Sequence, residues 1–238
     1  MTETKEAAKT AEIVGIVDYN AGNITSVERA LSFLKTPYVR SQNPKDLESC
    51  GKIIFPGVGE AAYAMKQLRE TGFYTFLKEW AAAKKPLLGI CLGSQIIFEH
   101  SEEGEGGGTE CLGILKGTNR HFSSVWKDFA LRNSDAKDKA IIPDLKVPQI
   151  GWNDLTFANG GSRLLSGIAQ QTDFYFVHSY VMQPSDESII KAYTNYGCAI
   201  PACVEQDSVT AFQFHPEKSG EAGLKILRNF ADLRAENG

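Results

Sequence analysis

The 238-residue sequence predicts an α/β fold: an open, largely parallel central sheet flanked by helices, with an antiparallel C-terminal extension. Three observations predict it. Short apolar runs alternate with stretches of helical periodicity as far as Phe98, the pattern of parallel strands joined by crossover helices. Beyond Ser101 that alternation stops and short strand-like segments follow one another. Between the two regions, Leu87-Leu88-Gly89-Ile90-Cys91-Leu92-Gly93-Ser94-Gln95 reads as a buried strand turning sharply into a helix.

Taken in order, residues 1–11 are polar and alanine-rich, lack a hydrophobic signal core, and are expected to form a frayed leader. Residues 12–238 are then one domain. Residues 12–17 read as a central strand and 18–23 as a loop rich in turn formers. Ile24, Val27, Ala30, Leu31 and Leu34 recur at helical spacing. Residues 52–55 form a second buried strand that ends at Pro56-Gly57-Val58-Gly59. Helices are expected over 61–71 and 74–84, and again over 95–99 after Cys91. A flexible acidic loop is expected over 102–108, a surface hairpin or disordered excursion over 119–139, and a compact turn over 148–153. Residues 173–181, 189–193, 202–205 and 209–214 read as strands. Ser219 is placed as N-cap of a closing helix whose apolar face carries Leu224, Leu227 and Phe230.

Composition narrows the function. A net charge of −4 gives no basic footprint, so nucleic acid is not an expected partner. No apolar run approaches ~18 residues, so no membrane span is expected. Five scattered cysteines, an odd number, fit free thiols in a reducing cytoplasm. Cys198 and Cys203 lack the paired spacing of a zinc site, and no metal or cofactor is expected.

The chemistry is expected at Cys91. A strand entering a helix through G-x-nucleophile-x-G lifts the central side chain above the sheet, and the two glycines leave room for the strained turn. Unpaired N–H groups at the start of the helix favour a thiolate. A buried free cysteine is the bland alternative, but five cysteines at a background Gly frequency of ~7% would produce G-x-C-x-G only about 0.02 times by chance. Such a nucleophile needs a base, a group orienting the base, and oxyanion donors. His215 stands at the end of the last strand, the edge where open α/β sheets carry their sites. Pro216 holds it extended, and Glu217, two residues on, can accept its second ring N–H. Pro56-Gly57-Val58-Gly59 can turn backbone N–H groups toward the nucleophile. His100 and His121 are weaker candidates, and His178 is as easily a satisfied core histidine as a substrate contact.

Gly89-Ile90-Cys91-Leu92-Gly93-Ser94-Gln95, Phe212-Gln213-Phe214-His215-Pro216-Glu217 and Pro56-Gly57-Val58-Gly59 together resemble the class I (triad) glutamine amidotransferases, whose fold is flavodoxin-like. Within that class, Asp18-Tyr19-Asn20-Ala21-Gly22-Asn23, Gly151-Trp152-Asn153 and Tyr175-Phe176-Val177-His178-Ser179-Tyr180 are similar to the glutaminase subunits of imidazole glycerol phosphate synthases. The resemblance runs from about Ile13 to the C-terminal helix. It implies Cys91 as nucleophile, His215 as acid/base and Glu217 as its orienter. It further implies oxyanion donors at Val58 or Gly59 with Leu92, and an L-glutamine pocket at Gln95, Glu103, His178, Ser179 and Tyr180. Tyr175, Lys218 and Asn20 would face a (β/α)₈-barrel cyclase subunit in a heterodimer of histidine biosynthesis. Partner contact would switch the glutaminase on by turning an oxyanion donor in the 56–59 loop inward. Two departures bear on partner fit: Gln149 stands where the family usually has His, and 119–139 is longer than usual. The alternatives are a paralogous glutaminase serving another acceptor such as a sugar amidotransferase, a non-catalytic interaction module, and a cysteine protease or γ-glutamyl hydrolase.

Overall fold

A computed structural model describes residues 13–20, 24–133 and 143–233. The leader expected over 1–11, part of the loop at 21–23, and 134–139 of the expected excursion lie outside the described residues. Strand β1 (Val14–Val17) is followed by α1 (Ile24–Phe33), β2 (Tyr38–Ser41), β3 (Lys52–Gly57), α2 (Ala61–Thr71), α3 (Phe73–Ala82), β4 (Leu87–Cys91) and α4 (Leu92–Ile96). Then come β5 (His100–Ser101), β6 (Thr109–Glu110), β7 (Gly117–His121), α5 (Phe122–Asn133), β8 (Gln149–Asp154) and β9 (Thr156–Phe157). The chain closes with β10 (Asp173–His178), β11 (Tyr180–Pro184), β12 (Ile190–Asn195), β13 (Ala199–Gln206), β14 (Val209–Phe212) and α6 (Gly220–Ala231).

The main sheet runs β2-β1-β3-β4-β14-β13-β12-β9. Its first five strands are parallel, and the remainder pair antiparallel. The α/β expectation therefore holds, with the antiparallel extension grafted onto the same sheet. β1, β3 and β4 are buried along their whole length, as parallel strands covered on both faces must be. Leu68, Phe73, Leu77 and Trp80 of α2 and α3 cover one face. Val27 and Leu31 of α1, with Leu227 and Phe230 of α6, cover the other, and Leu224 packs beside them partly buried. The buried Lys52 ammonium donates to the carbonyls of Ala231 and Leu233 (2.5 and 2.6 Å), which ties the end of α6 to β3.

Three expectations fail for identifiable reasons. Residues 119–133 form neither hairpin nor disorder: they complete β7, which pairs antiparallel with β11, and then build α5. Phe122, Val125 and Trp126 bury one stripe of that helix against Val181, Cys198 and Ile200. Residues 148–153 are not a compact turn but lead into β8, which pairs with β10 from Gln149↔His178 to Asp154↔Asp173. The single strand expected over 173–181 is two, broken at Ser179, because β10 pairs β8 whereas β11 pairs β7 in a separate four-stranded sheet. The acidic loop is also less free than expected. Glu102 accepts the His121 N–H at 2.8 Å and an Arg120 N–H at 3.1 Å.

Candidate active site

Parallel pairing sets the site. β3 and β4 lie side by side with Gly57 opposite Cys91, and β14 lies on the other side of β4 with Phe212 opposite Ile90. The chain beyond β14 therefore delivers His215 to the C-terminal rim on which Cys91 stands. Cys91 has φ 54 and ψ −112, a positive-φ conformation outside the regions that side-chain-bearing residues favour, and it is held there by a constraint. The constraint is the contact of α4 with β3: a Cβ on Gly93 would collide with the Phe55 carbonyl oxygen. A Cβ on Gly89 would come within 3.0–3.1 Å of the Gly93 and Ser94 backbone. The helix starts at Leu92, directly after Cys91 and earlier than the 95–99 reading, because this one residue makes the whole turn.

His215 and Glu217 form a buried pair. Their side chains are 4% and 3% exposed, and Nδ1 lies 2.7 Å from Oε1. Phe214 is fully buried below them, with ring centroids 4.4 Å from Phe174 and 4.8 Å from Phe212. That aromatic stack anchors the strand end from which the imidazole rises. The backbone is stitched as well: His215 N–H donates to the Tyr175 carbonyl (2.9 Å) and Ser219 Oγ donates to the His215 carbonyl (2.6 Å). Tyr175 N–H in turn donates to Ser219 Oγ (3.0 Å). Ser219 does precede α6, but its hydroxyl is spent on this stitch and does not cap the helix. Burial works against a charged imidazole, yet hydrogen bonding with Cys91 and Glu217, together with their charges, outweighs it and raises the His215 pKa to about 10. Cys91 and His215 line one cavity at this rim, and the Cys91 thiol lies 3.6 Å from the Val177 carbonyl.

A cavity of about 290 Å³ opens over this group. Val58, Gly59, Cys91, Leu92, Gln95, Glu103, Pro148, Val177, His178, Ser179, Tyr180, His215 and Lys218 line it. Its size is at the small end for ligand sites, which run to ~300–1,000 Å³, and suits an amino acid. All the residues expected to form the oxyanion hole and glutamine pocket are among these lining groups, but they differ in what they have free. Gln95 is buried, and its NH₂ donates to the Tyr180 carbonyl (2.8 Å) and to Gln213 Oε1 (2.9 Å). Glu103 Oε2 accepts the Ala61 N–H (2.8 Å), and burial with the nearby Glu60 raises its pKa. His178 Nδ1–H donates to the Tyr180 carbonyl (2.7 Å), and its Nε2 lies 2.9 Å from Gln149 Oε1. Burial, partly offset by that first bond, lowers its pKa to about 4, so the ring is neutral.

Of the expected partner-facing residues, Tyr175 and Lys218 adjoin the site, with the Lys218 ammonium 6.0 Å from the Tyr175 ring centroid. Asn20 stands beyond β1, its side chain bonded to Gln42 and Gln67. His100 lies in β5, while His121 ends β7 and contacts Ser123 Oγ at 2.8 Å. Neither lines the cavity. Sequence reasoning missed the packing partner Gln213, the stitching role of Ser219, and the linings supplied by Pro148 and Val177. Gln213 carried a readable signal: an amide inside the apolar run 209–214 needs a buried partner.

A thiol on a strained strand-to-helix turn, meeting a buried His–Glu pair beside an amino-acid-sized cavity, defines a cysteine-dependent amide-hydrolysing enzyme on an open α/β sheet. Residues 16–233 match the family described as glutamine amidotransferase class-I. Relatives called imidazole glycerol phosphate synthase subunit HisH are 38% identical in Herpetosiphon aurantiacus (95% of this chain, 97% of the relative) and 40% in Geobacillus kaustophilus (95% and 99%). The relative of that name in Desulfovibrio desulfuricans is 43% identical (92% and 93%). A crystal structure of a glutamine amidotransferase superposes with a TM-score of 0.65 at 20% identity, covering 91% of this chain and 96% of that one; it shares the fold. The chain belongs to the class I glutamine amidotransferases, in the branch of the imidazole glycerol phosphate synthase HisH subunits.

Proposed function

We propose that residues 12–238 form one glutaminase domain that hydrolyses L-glutamine to glutamate and ammonia and passes the ammonia to a cyclase subunit in histidine biosynthesis. The observation that carries this reading is the buried His215–Glu217 pair brought against Cys91 at the mouth of a small cavity. The Cys91 sulfur attacks the carboxamide carbon of glutamine, and the resulting oxyanion is held by the N–H of Leu92 and of Val58 or Gly59. His215 gives its proton to the departing nitrogen, the C–N bond breaks, and a thioester remains. Water then adds with His215 as base, glutamate leaves and the thiol returns. Glu217 holds the ring and stabilises its charged form throughout. Glu103 offers negative charge to the substrate α-ammonium, while Gln95, His178, Ser179 and Tyr180 shape the pocket.

Free ammonia would be protonated by water and lost as a nucleophile, so the acceptor chemistry has to adjoin this rim. The reading assigns it to a (β/α)₈-barrel cyclase subunit docked over Tyr175, Lys218 and Asn20. Trp152 (55% exposed), paired with Tyr175, and Ile150 (62% exposed) support that assignment, because they leave an apolar face beside the site. A cytoplasmic setting belongs to the same reading, supported by five free cysteines. The test is synthesis by the chain with its cyclase, fed either glutamine or ammonia. Cys91→Ala is expected to abolish the glutamine-fed reaction and spare the ammonia-fed one. Glutamine-fed synthesis that survives this substitution defeats the proposal.

A further inference from the structure

Tyr19 has no part in the mechanism above, yet it lies beneath the oxyanion loop. Its side chain is fully buried, and among the described residues its hydroxyl has no hydrogen-bond partner. The ring packs on Phe55 of β3 with centroids 5.4 Å apart. The hydroxyl occupies the place a Cβ on Gly57 would take, 2.5 Å from that position, where Leu92 and the Gly93 N–H also converge. A buried hydroxyl without a partner costs stability, and phenylalanine would fill the same space without that cost. The oxygen therefore needs a reason.

Gly57 precedes Val58, one of the assigned oxyanion donors. The planar peptide between them carries its N–H and C=O on opposite edges. When the Val58 N–H turns toward the Cys91 side, the Gly57 carbonyl turns into the interior, and a buried carbonyl there needs a donor. We propose that Tyr19 is a positioning residue whose hydroxyl supplies that donor and so holds the oxyanion donor in its working orientation. Burial first, and the neighbouring Cys91 second, push its ionisation well above the ordinary phenol range, so it keeps its proton at any working pH. Glycine at 57 fits the same arrangement, since any side chain would displace the hydroxyl.

This inference rests on the glutaminase reading, and the test separates the two. Tyr19→Phe in the complex with the cyclase removes one oxygen and leaves the ring. The expected result is a fall in kcat for glutamine of about tenfold with KM within about twofold, and a melting temperature equal to or above that of the unaltered protein. Alkylation of Cys91 by iodoacetamide forms no oxyanion and is expected to keep its rate. An unchanged kcat overturns the inference, and so does a parallel loss of alkylation, which would place the effect on the thiol. If the unaltered complex releases no glutamate, the glutaminase reading fails instead.

Discussion

Glu217→Gln isolates what the carboxylate does for the imidazole. The two side chains are 3–4% exposed and meet at 2.7 Å, so the exchange of oxygen for nitrogen removes a charge while preserving shape. A hydrogen bond to a charged group contributes about 1.5–3 kcal/mol, and burial places this one toward the upper end. At about 1.4 kcal/mol per decade, losing it slows thioester hydrolysis, the step in which the ring takes up its proton, about a hundredfold. Because Glu217 does not line the cavity, KM is expected to stay within about twofold. Initial rates of glutamate release, measured in the cyclase complex across glutamine concentrations, give both constants. A variant retaining kcat within about threefold would refute the argument that this pair orients and charges the base.

Two further predictions concern stability. The folded His215 pKa stands at about 10, above the ordinary 6.5, so its stabilising contribution is complete below about pH 6.5 and is lost as pH rises through about 10. The difference in melting temperature between the native protein and His215→Asn should therefore shrink from pH 6 toward pH 10, as followed by circular dichroism; a difference that grows contradicts the sign. Phe122→Ala opens the core under α5, where Phe122 is fully buried with ring centroids 5.0–5.3 Å from Trp126, His178 and Tyr196. It is expected to cost about 3–5 kcal/mol in urea unfolding, and a loss under about 1 kcal/mol would mean that α5 is not anchored there.

The proposed grouping of Cys91, His215 and Glu217 was readable because each of its parts is written locally. A strained turn needs its glycines next to the nucleophile, and a histidine held by a following proline and carboxylate is contained within three residues. The parallel sheet was legible for a similar reason, since strands buried on both faces are uninterrupted apolar runs. What failed depends on partners remote in sequence. β8 has a glycine, an exposed tryptophan and polar ends, and exists because β10 supplies its ladder. β2, Tyr38–Ser41, is an edge strand with no fully buried residue, so it carries no apolar signature. The α5 stripe of Phe122, Val125, Trp126 and Ala130 is at helical spacing, but the charged residues around it diluted the pattern. His178 was ambiguous for a better reason: only its burial and its bond to the Tyr180 carbonyl decide that it is a neutral ring held within the protein.

β14 enters the sheet between β4 and β13, far downstream of the strand that bears the thiol. During translation the cysteine thus emerges roughly 120 residues ahead of the imidazole proposed as its base, a lag of about 6–25 s at ~5–20 residues per second. Throughout that interval the nascent polypeptide carries the thiol without that imidazole, and the two come to one rim only when β14 slots in beside β4. On the proposed reading, the late arrival of β14 is the enzyme's own safety catch.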